Sequence, residues 1–410
     1  MKKRYAFAGA GNRGLNSYII PLKENYSDIA ELVGVYDINW KRSEVAVKKA
    51  GLDIPVYRDF EQMIKEAKPD VVIVTTVDAF HHEYVIKSLE MGCDVVCEKP
   101  LTTDAEKANA IIKAERETGK KITVIFNLRY EPYFARAKEI MMSGVIGDVV
   151  AVHFQWDLDF DHGVSYYRRW NSEMKNSQGL ELHKCTHHFD IANWLVGSEP
   201  ETVFAFADHR YYGDTNGIAK APFCHECKDH CKFYHELSES EKEMFLNCCD
   251  VDGYTPDKCI YRSGADIPDV LSVNVRYKNR ALMSYTLNTH SPIEGNHIII
   301  SGTKGRMELE RYYSLWNKKI NVRQIKVYPF SKMFGQVIEE DIPELAGSHG
   351  GADDKIRDDF MRGRTDGDPL HQAAGVREGI MSIGIGIAAN KSIESGLPIK
   401  IDDLYPELFK

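Results

Sequence analysis

The feature that most constrains the fold is a glycine motif that follows a short apolar run almost at the N-terminus. The run covers residues 5–8 and leads into Gly9-Ala10-Gly11-Asn12-Arg13-Gly14. This order predicts a strand, a tight turn and a helix. Gly9 allows the turn, Gly11 lets backbone amides approach a pyrophosphate, and Gly14 lets the helix pack closely on the sheet. The partial positive charge of the helix N-terminus completes a predicted phosphate cradle.

An acid follows the second apolar run at the distance expected for a nucleotide contact. Residues 31–36 end at Asp37, roughly 20 residues past the glycines, where a carboxylate would bind a ribose 2′-hydroxyl. The acid and the glycine motif together predict a bound dinucleotide. Asp37 favours NAD because it would repel the 2′-phosphate of NADP. Lys41 and Arg42 could bind that phosphate if Asp37 turned away, so NADP stays open.

Strand-like and helix-like segments alternate over the first third of the chain. Short β-branched runs are typical of buried parallel strands, and they occur at 5–8, 31–36, 70–76, 94–97 and 122–126. Amphipathic stretches between them, such as 79–91 and 103–118, predict helices. The alternation predicts an α/β fold with a Rossmann dinucleotide-binding domain over residues 1–126.

Residues 127–410 have a different pattern, which predicts an α+β domain with a large, mainly antiparallel open sheet. The expected strands cover 149–156, 270–277, 281–289 and 297–301. The expected helices cover 131–143, 186–196 and 371–394. Residues from about 211 to 268 interrupt this pattern with cysteines and charged residues, and they predict an insertion.

Composition excludes several classes of partner. The net charge of -9 and the absence of a basic stripe argue against nucleic acid and anionic membrane surfaces. No run of 18 apolar residues is present, so the sequence predicts no membrane-spanning helix, and a cytoplasmic location is the expectation. An odd count of nine cysteines fits reduced thiols or a metal site better than a disulfide framework.

A lysine follows the strand expected at 94–97, within the sequence Glu98-Lys99-Pro100. Ligands of open α/β sheets bind at the carboxyl ends of the strands, so Lys99 could donate or accept a proton there. Partial burial and a positive nicotinamide ring would both lower the pKa of its ammonium group. The alternative is a surface lysine that precedes a proline turn.

The glycine motif, Glu98-Lys99-Pro100 and the later stretch 179–190 together resemble the Gfo/Idh/MocA family of NAD(P)-dependent sugar and cyclitol oxidoreductases. The resemblance implies that Lys99 acts at the nicotinamide and the substrate hydroxyl. It also implies cofactor contacts along the first domain. Arg129 and Tyr130 match the residues with which the second domain of the family usually begins. Val77 stands where the family has a proline. The implied cofactor contacts are Gly9, Gly11, Asn12, Arg13, Gly14, Asp37, Thr76, His81, Glu98, Lys99, Pro100 and Asn127.

The second catalytic stretch departs from the family pattern at one position. The family has an Asp and a His four residues apart, then an Asp three residues later, and His187 and Asp190 match the last two. His183 stands in place of the first Asp. Residues 183, 187 and 190 are expected on one helix face. His183 and His187 also have metal-ligand spacing, and the alternative is an imidazole pair that binds sugar hydroxyls.

An aromatic and basic stretch precedes residue 179 and includes Tyr167, Arg169 and Trp170. Rings beside arginines suit the apolar faces and hydroxyl edges of a polyol. The same run could instead be an aromatic cluster that holds a loop. The predicted substrate contacts are Arg129, Tyr130, Tyr167, Arg169, Trp170 and Asp190.

Four cysteines of the insertion have spacings that suit a metal. Cys224, Cys227 and Cys231 lie close together, and Cys259 could supply a fourth ligand. Zinc is the simplest occupant and an iron–sulfur cluster is the second interpretation. Reduced thiols without a metal are the alternative.

The predicted function is hydride transfer between NAD(P) and a ring hydroxyl or ketone of a sugar, glycoside or cyclitol. Lys99 and His187 are predicted to handle the proton, with His183 orienting. The alternative is an NAD-dependent glycosidase that acts through a transient 3-keto sugar with no net redox change. The open sheet face predicts a homo-oligomer, a dimer or tetramer, as is usual in the family.

Overall fold

The computed structural model describes residues 2–409 except 230, 316–317, 334 and 365–366. Six described strands form the first sheet, and every neighbouring pair is parallel. Their order across the sheet is β3-β2-β1-β4-β5-β6. This doubly wound order confirms the predicted Rossmann fold. The strands are β1 Lys3–Ala8, β2 Ala30–Tyr36, β3 Val56–Tyr57, β4 Val71–Val74, β5 Asp94–Glu98 and β6 Ile122–Ile125.

Helices fill the connections between these strands. They are α1 Asn12–Gly14, α2 Ile20–Asn25, α3 Trp40–Lys49, α4 Phe60–Ala67, α5 His81–Glu90 and α6 Ala105–Thr118. A π-helical segment, Leu15–Ile19, makes α1 and α2 one continuous helical run. The side chains of Asn39, Asp59 and Asp104 cap α3, α4 and α6 by accepting backbone N–H bonds, which fixes where each helix begins.

The second sheet contains nine described strands in the order β14-β13-β12-β11-β7-β10-β9-β8-β15. Neighbours are antiparallel except β7 and β10, which run parallel. The sheet therefore confirms the predicted mainly antiparallel architecture. The strands are β7 Val149–Asp159, β8 Pro200–Asp208, β9 Val270–Tyr277, β10 Leu282–Ser291, β11 Ile293–Gly302, β12 Gly305–Leu315, β13 Lys318–Pro329, β14 Ile338–Asp341 and β15 Ile399–Lys400.

Nine further α-helices are described. They are α7 Pro132–Met142, α8 Phe160–Arg168, α9 Met174–Ser177, α10 Leu180–His183, α11 Cys185–Val196, α12 Glu239–Met244, α13 Cys249–Asp252, α14 Ala352–Arg362 and α15 Val376–Ser395. Of these, α14 packs against the first domain, and the others pack around the second sheet or lie in the insertion. Lys184 separates α10 from α11. His183 therefore ends α10, whereas His187 and Asp190 lie in α11, so the predicted helix face is divided between two helices.

The two sheets share a hydrophobic core. One cluster of buried apolar residues includes both Val74 of the first sheet and Val275 of the second. α15 packs on β8 and α11, and the carbonyl of Ala374, the residue before its N-cap, accepts a backbone hydrogen bond of 3.0 Å from Val124 in β6. Since this helix joins both parts, the division at residue 126 stays a prediction.

The insertion connects β8 to β9 and reaches the first sheet. Glu243 and Asp252, on α12 and α13, pair with Lys49 and Arg42 of α3 at 2.6 and 2.8 Å. Asn39 also donates to the carbonyl of Cys248 at 2.8 Å. The insertion thus covers the carboxyl end of β2.

Among the described residues, none of the helices is both long enough and apolar enough to cross a membrane.

Candidate active site

A cavity of about 1150 Å³ lies between the carboxyl ends of the first sheet and the helices of the second. It exceeds the roughly 300–1,000 Å³ of ordinary small-molecule pockets, so a dinucleotide and a smaller substrate could share it. The predicted site residues that line it are Gly11, Asn12, Arg13, Asp37, Thr76, His81, Glu98, Lys99, Asn127, Arg169, Trp170, His183 and His187.

The glycine motif adopts the geometry that a phosphate cradle needs. Gly9 has φ +103°, and a Cβ there would lie 2.6 Å from the Thr75 carbonyl oxygen. A Cβ on Gly14 would lie 2.5 Å from the Gly9 carbonyl oxygen. A Cβ on Gly11 would meet no atom within 4 Å, and Gly11 faces the cavity at the N-terminus of α1. Space and backbone amides therefore fit a dinucleotide pyrophosphate at this turn.

Asp37 follows β2 and is held from three directions. Its carboxylate accepts bonds from the backbone amides of Ala10 and Asn39, each at 2.8 Å, and lies 3.3 Å from Arg42. Burial raises the pKa of Asp37, and Arg42 opposes that rise. Arg42 in turn pairs with Asp252 of the insertion. An acid and a guanidinium therefore lie together at the edge where a ribose would bind.

Arg13 ties the glycine turn to other parts of the fold. It donates to Glu98 at 2.6 Å and to Asp353 of α14 at 2.8 Å. Burial alone would raise the pKa of Glu98, but Arg13 and the Tyr18 hydroxyl hold it below its ordinary value. Asn127 also donates to Asp353, at 2.7 Å. These bonds fix the turn, the end of β5 and the end of β6 relative to one another.

His81 joins the loop after β4 to the loop after β5. Its Nδ1 lies 2.8 Å from the Pro100 carbonyl oxygen, and its Nε2 lies 3.1 Å from the Thr76 carbonyl oxygen. His81 is buried, so these contacts hold the two loops together at the cavity wall. Pro100 contributes through its carbonyl and does not itself line the cavity.

Lys99 reaches from the end of β5 across to the second sheet's helices. Its ammonium group donates to the carbonyl oxygen of His183 at 2.9 Å. Burial lowers the pKa of Lys99 to about 8, against the opposing effects of Asp78 and Glu98. A lysine with that pKa exchanges its proton near neutral pH, as an acid–base group requires.

Asp78 is a site residue that the sequence analysis missed. It follows β4, is buried, and its Oδ2 lies 2.6 Å from Nδ1 of His183. Burial raises the pKa of Asp78 to about 7, against the effects of His81 and Lys99. The signal available in the sequence was an acid at the carboxyl end of a buried strand, next to Val77. Its partner is 105 residues away, so spacing could not reveal the pair.

The two histidines of the second catalytic stretch have different surroundings. Burial lowers the pKa of His183 well below its ordinary value, and Lys99 and Arg169 lower it further. Because Nδ1 of His183 faces Asp78, its Nε2 is the nitrogen available to a substrate. Nδ1 of His187 is buried and has no partner among the described residues. Trp170 packs its ring 5.3 Å from that of His183.

Four predicted substrate contacts lie outside the cavity lining. Arg129 and Asp190 form a buried pair with bonds of 2.6 and 2.8 Å. The Tyr130 hydroxyl binds Asp359, and the Tyr167 hydroxyl donates to the Pro268 carbonyl at 3.0 Å. Their polar groups are occupied by protein partners and do not line the cavity, so substrate contact by Arg129, Tyr130, Tyr167 and Asp190 stays a prediction without geometric support.

The cysteine spacing does not produce a metal site in the described part of the chain. No three of the described His, Cys, Asp and Glu side chains are placed to hold an ion, at the insertion or at His183 and His187. Cys224 is buried, Cys231 is exposed, and Cys227 and Cys259 are intermediate. Since the thiols lie in different environments, the structure does not support the predicted zinc or iron–sulfur site at Cys224, Cys227, Cys231 and Cys259.

Two family models match the chain in sequence. A model described as an oxidoreductase family with an NAD-binding Rossmann fold matches residues 3–126. A model described as the C-terminal alpha/beta domain of an oxidoreductase family matches residues 138–401. Together they cover both sheets and most of the residues that line the cavity between them.

Individual relatives agree with these matches. "Putative oxidoreductase YteT" of Bacillus subtilis (strain 168) is 35% identical over 98% of this chain and 99% of its own length. Inositol 2-dehydrogenase of Salmonella paratyphi B is 30% identical over 42% of this chain and 49% of its own length. The solved structure of levoglucosan dehydrogenase in complex with NADH superposes with a TM-score of 0.70, at 17% identity, over 98% of this chain and 99% of that one. The last similarity shows the fold alone.

Proposed function

This chain belongs to the Gfo/Idh/MocA oxidoreductase family, and on that premise we propose that it transfers a hydride between NAD and a ring hydroxyl or ketone of a sugar, glycoside or cyclitol. The observation that carries the proposal is the placement of Lys99 and the Asp78–His183 pair in one cavity with Gly11 and Asp37. The names of the inositol and levoglucosan dehydrogenases support an alcohol substrate.

Bound NAD supplies the hydride acceptor. The chain's own residues must then remove the hydroxyl proton as the carbinol C–H bond breaks, so that an alcohol becomes a ketone and one proton is released. Lys99 in its amine form accepts that proton. Asp78 accepts the hydrogen on Nδ1 of His183, so Nε2 of His183 accepts a hydrogen bond from a different hydroxyl of the substrate. His187 hydrogen-bonds a neighbouring hydroxyl.

The test is cofactor stoichiometry with purified protein. NAD is incubated with free sugars, glycosides and inositols, and NADH and ketone are measured together. We expect NADH and ketone to form in equal amounts with at least one class. Sugar release without accumulated NADH would instead support the glycosidase that acts through a 3-keto sugar. Neither product from any class would contradict both functions.

The cofactor preference is tested at Asp37. We propose that NAD is preferred because the Asp37 carboxylate repels a 2′-phosphate more than Arg42 attracts one, since Arg42 is already paired with Asp252. Asp37→Ser should shift the ratio of kcat/KM for NAD over NADP by about 100-fold toward NADP, because a like-charge contact costs several kcal/mol. Asp252→Asn is the matched control, since it keeps Asp37. It should shift the same ratio of kcat/KM by less than about tenfold. Equal shifts in the two variants would contradict the assignment.

The role of Asp78 is tested by pH dependence. Asp78→Asn should lower kcat for oxidation about 10²-fold, because His183 loses its orienting carboxylate. In the unchanged protein, kcat/KM should rise with pH to a plateau above about 8 as Lys99 loses its proton. Asp78 raises the pKa of Lys99, so its removal should move the midpoint of that rise to lower pH.

The control for Asp78 is Asp161→Asn, which removes the same charge from an exposed position in α8. It should change neither kcat nor the midpoint. A purely structural role for Asp78 predicts a lower rate with an unmoved midpoint, and that result would contradict the proposal.

We also propose, as the sequence predicted, that the chain forms a homo-oligomer through the outer face of the second sheet. Val150, Phe206 and Leu282 lie exposed on β7, β8 and β10. Exposed apolar residues on strands of one sheet favour coverage by another chain.

A further inference from the structure

Most charged side chains that line the cavity are paired with an opposite charge. Two arginines and one lysine on the second-sheet side pair with glutamates outside the catalytic cluster: Arg311 with Glu131, Arg323 with Glu344, and Lys258 with Glu173. Against this background, Lys184 and Arg169 are cations that line the cavity with no acidic partner among the described residues. Unpaired charges in a partly buried wall are costly unless a ligand binds them.

Lys184 lies at the break between α10 and α11, directly after His183. Its ammonium group is 5.5 Å from the ring centroid of Trp156 and donates to no hydrogen-bond acceptor among the described residues. The residue is half-buried, and burial lowers the pKa of its ammonium group while Glu294 opposes that shift. Three N–H groups are therefore available on one cation at the cavity wall.

Arg169 directly follows α8, and only part of its guanidinium group is hydrogen-bonded within the protein. Its Nε donates to the Ser165 carbonyl and its Nη2 to the Ser165 hydroxyl, both at 3.0 Å. The guanidinium carbon lies 5.3 Å from the ring centroid of Tyr166. These contacts hold the group in place and leave Nη1 without a partner among the described residues. The rings of Tyr166 and Trp170, which flank this part of the chain, lie 5.8 and 5.3 Å from the ring of His183, and Lys184 directly follows His183. Both charges therefore line the cavity wall around the proposed reacting centre.

We propose that Lys184 and Arg169 bind a carboxylate on the substrate, so that the natural substrate is a sugar acid such as a uronic acid. The inference deepens the proposed function and rests on it for the site. One carboxylate has acceptor positions for both an ammonium and a guanidinium N–H. Glu294 and Asp159 line the same wall, so a dianionic phosphate would meet more repulsion than a carboxylate.

Binding is measured by calorimetry on the full chain saturated with NADH, which requires no turnover. The probes are D-glucuronate and D-galacturonate, their neutral parents glucose and galactose, and glucose 6-phosphate. We expect at least one acid to bind about 10- to 100-fold more tightly than its neutral parent, as charge-assisted hydrogen bonds predict. Equal binding of acid and parent, no binding of either acid at millimolar concentration, or tighter binding of the phosphate would overturn the proposal.

Variants separate a specific contact from general charge. Lys184→Gln should weaken binding of the acid at least tenfold and of its neutral parent by less than about threefold. Lys184→Arg should restore most of the acid affinity. The control is Lys175→Gln at the cavity rim, where the side chain is 77% exposed and paired with Glu173. An equal loss in Lys175→Gln would show a long-range effect and overturn the proposal.

The two proposals fail in different ways. If the acid binds through Lys184 but no NADH forms with NAD from the acid or from any sugar, glycoside or inositol, the carboxylate site stands and the dehydrogenase is contradicted. If NADH forms from neutral sugars with no advantage for acids in binding, the dehydrogenase stands and the carboxylate site is contradicted.

Discussion

Replacing Lys99 with methionine is expected to lower kcat for NADH formation about 10³-fold while NAD binding changes little. Methionine keeps the length and apolar body of the side chain but can neither accept nor donate the proton, and a positioned acid–base group contributes about 10²- to 10⁴-fold. The dinucleotide contacts at Gly11 and Asp37 remain. The measurements are steady-state kcat and the Kd for NAD obtained from protein fluorescence.

The control for this variant is Lys113→Met on α6. Its ammonium lies 3.8 Å from Glu117, and its side chain is 59% exposed. It should retain kcat within about twofold, because an exposed ion pair contributes little. In Lys99→Met, residual activity should also lose the rise toward a plateau above about 8, since that rise reports Lys99. A kcat within tenfold of the unchanged protein would falsify the role assigned to Lys99.

The cofactor half of this site is predictable from sequence because it depends on local backbone chemistry. A turn with Gly9 at positive φ and Gly14 against the turn carbonyl requires glycine at those positions whatever else the chain does. Asp37 is predictable for a similar reason, since it directly follows a recognisable buried strand. The end of β5 likewise places Lys99 at the ligand edge of the sheet.

The substrate half depends on contacts between residues far apart in sequence. Asp78 and His183 meet only because the loop after β4 faces the break between α10 and α11. A periodicity argument assumes that a helix continues, and Lys184 interrupts it between His183 and His187. The position of the insertion could not be predicted for the same reason. Asp252 of the insertion, which connects β8 to β9, pairs with Arg42 of α3 more than 200 residues earlier in the chain.

Arg129 and Asp190 stand at motif positions that predict substrate contacts, but their geometry indicates a role in stabilising the fold. Their motif position suggested the cavity, yet the pair is almost fully buried at the junction of β6, α11 and the segment before α15. Arg129 also donates to the carbonyls of His371 and Ala373 at 3.2 and 3.3 Å. This position joins three segments, so the pair is expected to act through stability rather than through substrate binding.

Replacing Asp190 with alanine is therefore expected to destabilise the protein by about 3–5 kcal/mol, because Arg129 would keep a buried charge without its partner. Burial raises the pKa of Asp190 and Arg129 opposes that rise, so the carboxylate and guanidinium depend on each other. The measurement is the free energy of unfolding in urea, with the thermal midpoint as a second readout. The double replacement Arg129→Met with Asp190→Leu should recover much of the loss, because it removes both charges and keeps apolar volume.

The matched control is Glu31→Ala, which breaks the exposed pair with Arg4. Those side chains are 53% and 39% exposed, so the loss should be below about 1 kcal/mol. A structural role also predicts that folded Asp190→Ala keeps the KM of the unchanged protein at a temperature below its midpoint. An unchanged free energy of unfolding together with a KM raised tenfold or more would contradict this structural role. Asp190 would then have to contact substrate in a conformation in which its hydrogen bonds to Arg129 are broken.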